Sequence, residues 1–544
     1  MPDVEQQSEK ASSPAPSSVG RTNTNRELSD TELIRIETHK SQQRATVGST
    51  TGKPCPREKW LVMGGGKPIP AGMDNPDDYI VEFDGSHDPI HPFNWKLRKK
   101  LSTGVNISIA TFTAAFTSGI FAPGIDDASR EFGVGREVGV LGTTLFVLGF
   151  ASGPLLWAPA SELVGRRWPL TIGIFGESIF TIAAAVSKDI QTLTICRFFA
   201  GVFGASQVTV VPAVFSDMFD DTHRGVALMV YSLTVFVGPF AAPFIGGFIV
   251  DSSLSWRWIL YIASFMGFAS TALYLLFVSE TYPPAILSQK GATLRRQTHI
   301  WAIHAKQDEV EIDVRELIHN NFTRPLRMLV QEPILLFVSL YMSFIYGIVY
   351  ALLEAYPYVF QHVYGMNQGQ AGLTFFGLII GLICSVSFMV WQHRFYVRKL
   401  VANNHRGVPE WRLPPTVVGA PVFTVGLFWY GWTGFTPSIH WMSPTASGVL
   451  IGFGLLCIFQ PCFNYLVDTY LTLVASTIAA NMMLRSAIAA GFPLFSKQMF
   501  ANLGVQWAGT LLGCLAAAMV PIPVLLTVYG PWIRGKSRMI RHGG

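Results

Sequence analysis

The residues of this chain that could do chemistry are a few charged side chains inside long apolar stretches. Arg197 lies about seven residues from one end of such a stretch, roughly 10 Å deep if the stretch is helical. An isolated arginine there costs at least ~2.5 kcal/mol, so it should face the protein interior and find a partner. Glu354 lies at a similar depth in a later stretch. Burial favours its protonated form and a nearby arginine its ionised form, so such a carboxyl can load and release a proton. We predict that Arg197 and Glu354 act together in proton coupling, with Glu354 as the carrier.

Structural roles are the alternatives for each buried charge. Glu354 would reach water at the end of its stretch, and Arg197 would only bind backbone carbonyls. Glu177 would form a structural hydrogen bond with a neighbouring helix or relay protons, and Arg485 would pack between helices or line a cavity. Asp468, at the end of its stretch, is expected to be solvated or to cap a helix.

Twelve apolar runs must position these side chains, each about as long as the roughly 20 residues that a helix needs to cross a bilayer. Half of the 544 residues are apolar and only 14% are charged, whereas about 25% are charged in a soluble domain. Lysine and arginine are concentrated in every second connection, which places those connections and both termini in the cytoplasm. The predicted spans are 102–123, 138–160, 168–187, 190–215, 225–249, 257–279, 334–357, 371–392, 414–435, 444–467, 473–498 and 507–529.

One long connection divides the chain into two halves of six spans each. The predicted units are a disordered cytoplasmic N-terminal tail (1–90), an N-terminal six-helix bundle (91–280), a cytoplasmic linker (281–333), a C-terminal six-helix bundle (334–530) and a basic cytoplasmic tail (531–544). The linker contains a charged stretch, Asp308 to Arg315, and is expected to form a short amphipathic helix on the membrane surface. This organisation is typical of pseudo-symmetric secondary transporters.

Composition argues against several other classes of protein. The net charge of +5 comes from basic residues in short cytoplasmic loops, where orientation and anionic lipid account for them, so no nucleic-acid partner is expected. Five of the six cysteines lie in apolar runs, so neither a disulfide nor a metal site is expected. Without a nucleophile elbow or phosphate loop, the chain is predicted to be neither an enzyme nor cofactor-dependent. The glycosylation acceptor at Asn321 falls in the predicted cytoplasmic linker, so we expect no glycan there.

The connection between the second and third spans carries a family signature. It reads Ala158-Pro159-Ala160-Ser161-Glu162-Leu163-Val164-Gly165-Arg166-Arg167 and resembles the loop motif of the major facilitator superfamily. Ala158 replaces a glycine, Glu162 an aspartate and Leu163 a basic residue of that motif. Further pieces, in order, resemble the fungal twelve-span drug:proton antiporters: Asp88-Pro89, Leu193…Arg197…Gly201, Gly238-Pro239…Pro243…Gly246-Gly247, Glu280-Thr281-Tyr282 and Leu484-Arg485-Ser486. The resemblance covers about residues 85–540 and implies an all-α fold of twelve transmembrane helices in two pseudo-symmetric bundles, functional as a monomer.

The resemblance also implies roles for three groups of residues. A gating charge network that braces the outward-facing state would comprise Glu162, Arg166, Arg167 and Asp217, although orientation by positive charge alone is the alternative. A close-packed antiporter seam against the eighth span would comprise Gly238, Pro239, Pro243, Gly246 and Gly247. The substrate cavity would be lined by Phe112, Phe116, Tyr231, Phe236, Tyr346, Tyr350, Phe459, Phe463 and Asn464, and rings with few charges suit planar organic molecules.

The leading prediction is a plasma-membrane exporter of xenobiotics or of a fungal secondary metabolite such as a mycotoxin. Protons, a small organic substrate and membrane lipid would be its partners, with the proton gradient as driving force. The vacuolar membrane is an alternative location, and polyamine export is a rival function within the same branch. Nutrient uptake is disfavoured because Glu280-Thr281-Tyr282-Pro283 stands where sugar porters carry Pro-Glu-Ser-Pro. A non-transporting sensor of the same fold would need a long signalling domain.

Overall fold

The structure, a computed structural model, describes residues 63–67, 69, 76–309, 314–403, 407–470 and 473–536. Its twelve long helices are numbered here as spans 1 to 12. They are Leu97–Gly119, Arg136–Leu163, Arg167–Ala185, Ile190–Met218, Asp221–Val250, Arg257–Phe277, Pro333–Tyr358, Phe376–Ala402, Pro414–Thr433, Met442–Thr469, Val474–Leu503 and Val505–Met519, the last continued by Pro521–Lys536. The described residues contain no strand, only an isolated bridge between Ile80 and His304.

Local sequence features explain where several of these helices begin. Proline occupies the first turn of spans 7 and 9, where its missing N–H costs nothing. Asp189 caps span 4, its side chain accepting from the backbone N–H of Thr192 at 2.7 Å. Eleven helices within the described residues are long and apolar enough to cross a membrane. Span 9 falls outside that set, but its 20 residues carry no charge and occupy the predicted ninth position.

Two bundles of six spans pack side by side. In the first, span 4 packs between spans 2 and 3 and span 1 packs on spans 5 and 6; in the second, span 10 packs between spans 8 and 9 and span 7 packs on span 11. Span 2 meets span 11, and span 5 meets span 8, so these four helices join the bundles. Spans 3 and 6 expose large apolar side chains such as Phe175, Phe265 and Leu276, which suits a surface solvated by lipid.

Odd-numbered spans begin at one end of the molecule, which also holds the linker helices Pro283–Thr298 and Val314–Gln331. We call this the linker end and the opposite end, with the short helices Ile125–Phe132 and Gln368–Leu373, the far end. The described part of the linker thus forms two helices, where one short amphipathic helix was predicted. In the charged stretch 308–315, a turn of 3₁₀ helix covers 306–309 and residues 310–313 lie outside the described residues.

The segment before span 1 also differs from the prediction. Residues 76–90, assigned above to a disordered tail, pack on the linker: Val81 and Tyr79 join an apolar cluster with Leu287 and Leu294. The backbone N–H of Val81 donates to the carbonyl of His304 at 2.9 Å. The apolar residues that tie this segment down are too sparse to stand out in a polar stretch. Residues 1–62 of the predicted tail lie outside the described residues.

Candidate functional site

A nearly closed cavity lies between the two bundles at mid-depth. Its free space is about 10 Å³, room for roughly one water molecule. Spans 4, 5, 10 and 11 contribute its walls. The lining residues are Val208, Tyr231, Ser232, Val235, Phe459, Phe463, Ile478, Asn481, Met482 and Arg485. In this state the cavity is therefore too small for a cargo molecule, and its walls come from both bundles.

Aromatic rings close the cavity across the bundle interface. Phe236 of span 5 meets Phe459 of span 10 edge-on, with ring centroids 4.7 Å apart. Tyr346 lies 6.2 Å from Phe236 and 6.4 Å from Phe459. Tyr350 stands behind Tyr346 and donates its hydroxyl to Ser118 of span 1 at 3.2 Å. A cargo can enter only if these rings separate, which requires the bundles to move.

The structure distributes the nine predicted cavity residues over four places. Tyr231, Phe459 and Phe463 line the cavity, and Phe236, Tyr346 and Tyr350 form the ring layer beside it. Asn464 lies one helical turn from Gln460, whose amide donates to it at 3.4 Å. Phe112 and Phe116 belong instead to a separate apolar cluster with Ile120 and Phe121. Their rings stack on each other at 5.8 Å, away from the lining residues.

Arg485 is the charged member of the cavity lining. Its guanidinium lies 4.8 Å from the ring centroid of Phe459 and 5.0 Å from that of Tyr346, within the range of cation–π attraction. No carboxylate among the described residues pairs with it, and its Nε–H has no acceptor there. Of the two roles considered for Arg485, the geometry therefore places it in the cavity lining.

Polar residues that sequence reasoning did not select also meet at the cavity. Ser232 of span 5 donates to Gln460 of span 10, a hydrogen bond between the bundles. The amide of Asn481 donates to Ser339 of span 7 at 3.0 Å. The signal available in the sequence was the presence of uncharged polar residues within apolar runs, which is too common in membrane helices to single them out.

Arg197 and Glu354 are not brought together, so this part of the prediction is wrong for the state described. The guanidinium of Arg197 donates to the carbonyls of Thr117 (2.9 Å), Ser118 (3.4 Å) and Gly142 (3.1 Å). It also lies 4.4 Å from the ring centroid of Phe146. Thr117 and Ser118 lie in the last turn of span 1, where helix carbonyls lack intrahelical donors. Arg197 therefore acts as a C-terminal cap supplied by another helix.

Glu354 pairs with Arg136 instead. One carboxylate oxygen lies 2.8 Å from the guanidinium Nη2, and Asp126 holds the Nε of the same arginine at 3.0 Å. The pair connects span 2 with span 7, hence one bundle with the other, and Glu354 is 4% exposed. It borders a pocket of about 50 Å³ at the far end that Lys497 and others line. Arg136 was overlooked because it stands at the start of a span, where a basic residue needs no explanation.

Glu177 is buried in span 3, facing span 4. A Cβ at Gly204 would lie 3.0 Å from its carboxyl carbon. Neither carboxyl oxygen has a hydrogen-bond partner among the described residues by distance and angle. The nearby hydroxyl of Thr117 donates to the carbonyl of Thr113 at 2.8 Å. The structural hydrogen bond expected for Glu177 is therefore not found.

At the linker end, the predicted charge network is built around Glu280. Arg166 donates to Asp217 at 3.1 Å and lies 4.5 Å from the ring centroid of Tyr282. Burial lowers the pKa of the Arg166 guanidinium, but the charge of Asp217 and other acidic neighbours raises it, so the pKa stands above its ordinary value. Arg167 donates instead to the carbonyl of Leu275 at 2.9 Å.

Glu280, quoted above only as part of a motif, holds this loop in place. Its carboxylate accepts from four backbone N–H groups, those of Arg166, Arg167, Thr281 and Tyr282, at 2.8–3.0 Å. Gly165 makes the approach possible, because its φ of +98° suits glycine and a Cβ there would lie 2.5 Å from the carboxylate. The backbone carbonyl of Glu162 accepts a hydrogen bond from the side-chain amide of Gln307, in the linker, at 3.2 Å.

Asp468 connects the bundles at the linker end. It pairs with Arg412 at 2.9 Å and lies 3.8 Å from Arg224, which stands at the start of span 5 in the other bundle. His393 adds a hydrogen bond across the same interface, to the carbonyl of Thr222 at 2.8 Å. Asp468 is therefore an ion-pairing residue, whereas solvation or helix capping was expected.

The predicted seam packs against two other elements, span 1 and the short helix Gln368–Leu373. A Cβ at Gly238 would lie 2.7 Å from the backbone nitrogen of Phe116, so this glycine packs on span 1. A Cβ at Gly247 would lie 2.6 Å from the carbonyl oxygen of Gln368, and one at Gly372 2.6 Å from that of Pro243. Two further seam residues also face the end of span 1: Gly246 adjoins Ile120, and Pro239 approaches Gly119. Of the five predicted seam residues, Pro243 and Gly247 therefore meet the second bundle, whereas Gly238, Pro239 and Gly246 pack beside span 1.

Comparison with known proteins places this geometry in context. The model of the Major Facilitator Superfamily matches residues 107–493. The chain is 46% identical over 477 residues to the "Multidrug transporter TPO1_2" of Candida glabrata, covering 88% of this chain and 82% of that one. It is 42% identical over 468 residues to the "Citrinin biosynthesis cluster MFS transporter mrr1" of Monascus ruber, covering 85% and 92%. A structure of the proton:xylose symporter XylE superposes with a TM-score of 0.57 at 15% identity, covering 80% of this chain and 96% of that one.

Proposed function

Because this chain belongs to the major facilitator superfamily, a family of carriers rather than enzymes, we propose that it is a proton-coupled exporter of drug-like molecules or of a fungal secondary metabolite. The printed names of its relatives, a multidrug transporter and a transporter of a citrinin cluster, support this class of cargo. The observation that carries the proposal is a small central cavity between two bundles that ion pairs join at both ends. Alternating access needs such a central site.

The linker end is proposed to face the cytoplasm, with the chain in the plasma membrane. Basic residues are concentrated in the connections at that end, and positive charge favours the cytoplasmic side. The far-end pocket beside Glu354 would then face the external proton reservoir. A membrane-impermeant reagent that labels an N-terminal tag on intact cells would contradict this orientation.

Proton coupling is proposed to act through the Arg136–Glu354 pair. Protonation of Glu354 removes the charge that holds Arg136, and so weakens a contact between spans 2 and 7 at the far end. An antiporter requires that the empty, unprotonated carrier does not change sides, because otherwise the gradient would dissipate without moving cargo. An ion pair that keeps the far end of the empty, unprotonated carrier closed meets this requirement. Bound cargo would break the pair and open the far end, Glu354 would then take up an external proton, and the protonated carrier would turn inward and release that proton to the cytoplasm. Arg197, which binds only backbone carbonyls among its hydrogen-bond partners, is given a positioning role.

The Glu354→Gln variant tests the proposal. Glutamine keeps the shape of the side chain but cannot exchange a proton, so we expect proton-driven accumulation of cargo to fall at least tenfold, equivalent to about 1.4 kcal/mol. Exchange of cargo down its own gradient should continue. The measurement is uptake into reconstituted vesicles with an imposed pH gradient, using dye, azole, polyamine and polyketide cargoes.

Glu131→Gln is the matched control. Glu131 also forms an ion pair near the far end, with Arg257 at 2.6 Å, but both residues belong to the first bundle. Its loss should leave proton-driven accumulation within about twofold of the wild-type level. Full accumulation by Glu354→Gln would show that the proton carrier lies elsewhere.

A further inference from the structure

Arg485 gives the central cavity a fixed positive charge. Among the ten residues that line it, Arg485 is the only ionised side chain; the others are apolar, phenolic, hydroxyl or amide groups. The side chain is 3% exposed, so bulk water does not solvate the guanidinium. A buried cation needs an anion or several acceptors to replace its lost water.

The described protein supplies rings but no anion. Phe459 and Tyr346 face the guanidinium at 4.8 and 5.0 Å. Three phenols lie near it, those of Tyr231, Tyr346 and Tyr350, and a phenol carries no charge at neutral pH. Two of these phenols are committed elsewhere, Tyr231 to the carbonyl of Val208 at 2.8 Å and Tyr350 to Ser118 at 3.2 Å. The guanidinium thus retains donors that no described residue satisfies.

The carboxylates that join the bundles are already paired at the two ends of the molecule. Asp468 is held by Arg412 and Arg224 at the linker end. Glu354 is held by Arg136 at the far end. Neither carboxylate forms an ion pair with Arg485. Because no described residue supplies an anion to Arg485, a bound ligand is the group that can.

We propose that the cavity binds an organic anion with a flat apolar body, such as an aromatic carboxylate or a phenolate, whose negative group pairs with Arg485. Its ring would pack against Phe459 and Phe463, which stack in parallel at 6.5 Å. The inference rests on the proposed export function and specifies its class of cargo. A planar guanidinium binds a carboxylate through two parallel hydrogen bonds, which gives orientation as well as affinity.

A second polar group in the lining fits the same cargo. The side-chain oxygen of Asn481 is buried without a donor among the described residues, while its amide nitrogen is fixed by Ser339. This oxygen can accept a hydrogen bond from a hydroxyl of the cargo. Asn481 and Arg485 lie four residues apart and hence on the same face of span 11. A polyamine would bring like charge to Arg485, so the geometry disfavours that rival cargo.

The test compares two probes of nearly the same shape, one anionic and one neutral. Equilibrium binding of 2-naphthoate and of its neutral analogue 2-naphthamide is measured on the purified full-length protein in detergent, with spermidine as a competitor. We expect the wild-type protein to bind naphthoate at least tenfold more tightly than naphthamide. Arg485→Gln should abolish that preference and leave naphthamide binding unchanged. Arg485→Lys, which keeps the positive charge, should retain part of the preference for naphthoate. Spermidine should not displace naphthoate.

Arg394→Gln is the control, because it removes an arginine of the second bundle that is exposed at the end of span 8. It should keep the full preference for naphthoate. The inference is overturned if Arg485→Gln keeps the preference, if folded wild-type protein binds no naphthoate at millimolar concentration, or if spermidine competes.

Binding without a proton gradient separates this inference from the proposed function. If naphthamide and naphthoate bind equally but a pH gradient drives either into vesicles, the export function stands and the anion preference fails. If the preference holds but no gradient drives transport, the cargo class stands and proton coupling fails.

Discussion

Two buried arginines, one in each bundle, solve the same problem in opposite ways. Arg197 in the first bundle is 0% exposed and donates to three backbone carbonyls. Arg485 in the second bundle is 3% exposed and has two aromatic rings but no anion or carbonyl acceptor within hydrogen-bond distance among the described residues. Sequence position alone treats them alike, since each is one cation inside an apolar run.

The difference shows that the partners of a buried charge, and not its burial, separate scaffold from binding site. Desolvation costs several kcal/mol for either ion. Arg197 recovers that cost from carbonyls in the last turn of span 1, which need a donor in any case. Arg485 recovers only part of it from its rings, so the remainder is available to a ligand. Buried charges therefore fall into two groups, those with complete hydrogen-bond partners, such as Arg197, and those without, such as Arg485. Replacing members of each group by neutral side chains of similar size tests this distinction.

The largest effect is expected for Arg197→Met. The change leaves the carbonyls of Thr117 and Ser118 without their donor and removes the charge at the end of span 1. We expect the free energy of unfolding to fall by roughly 3–5 kcal/mol. Thermal unfolding in detergent, followed by size-exclusion chromatography, measures it. Arg394→Met is the exposed control, and a loss no larger than that of the control would refute the capping role.

An intermediate effect is expected for Glu280→Gln, the acidic counterpart of Arg197. An amide in place of the carboxylate loses the charge that four backbone N–H groups share and turns an NH₂ group toward some of them. We expect a loss of about 2 kcal/mol. Glu309→Gln, at an exposed linker residue paired with His304, should cost less than about 0.5 kcal/mol. If both variants lost equal stability in the same unfolding assay, Glu280 would not belong with Arg197 among the buried charges that the protein itself stabilises.

The smallest effect on stability, and one of opposite sign, is expected for Arg485→Met. Removing a buried cation without an anionic partner relieves its desolvation, and methionine can fill the space between the rings. The unfolding temperature should stay the same or rise, while naphthoate binding is lost. A destabilisation as large as that of Arg197→Met would remove the distinction between the two arginines.

The elements and the family were predictable, and the pairings were not. Twelve runs of the right length, the division into halves and the fungal antiporter resemblance are confirmed by the helices and by the relatives. The interior position of Arg197 followed from the cost of exposing it to lipid. Its partner did not, because Thr117 and Glu354 were equally possible by depth. The pairing of Arg136 with Glu354 joins residues 218 positions apart, and no local pattern specifies such a distance.

The cavity was predicted to the level of helices rather than of side chains. Tyr231, Phe459 and Phe463 line it as expected, but Phe112 and Phe116, on a helix of the predicted set, turn toward another cluster. The rotation of span 1 about its own axis decides this, and an apolar run without a strong polar face does not set its own rotation.

What the sequence determined by itself is the set of helices, their lipid-solvated surface and the number of charges that must lie inside. Length and hydropathy are additive along a chain, so these properties can be summed residue by residue. The tertiary structure alone decided which partner each buried charge has. Glu280 accepts from the backbone of Arg166 and Arg167, and Glu354 pairs with Arg136. Among the described residues, Arg485 contacts aromatic rings only. Those contacts depend on how helices distant in sequence pack and rotate, and packing is a property of the assembled bundles.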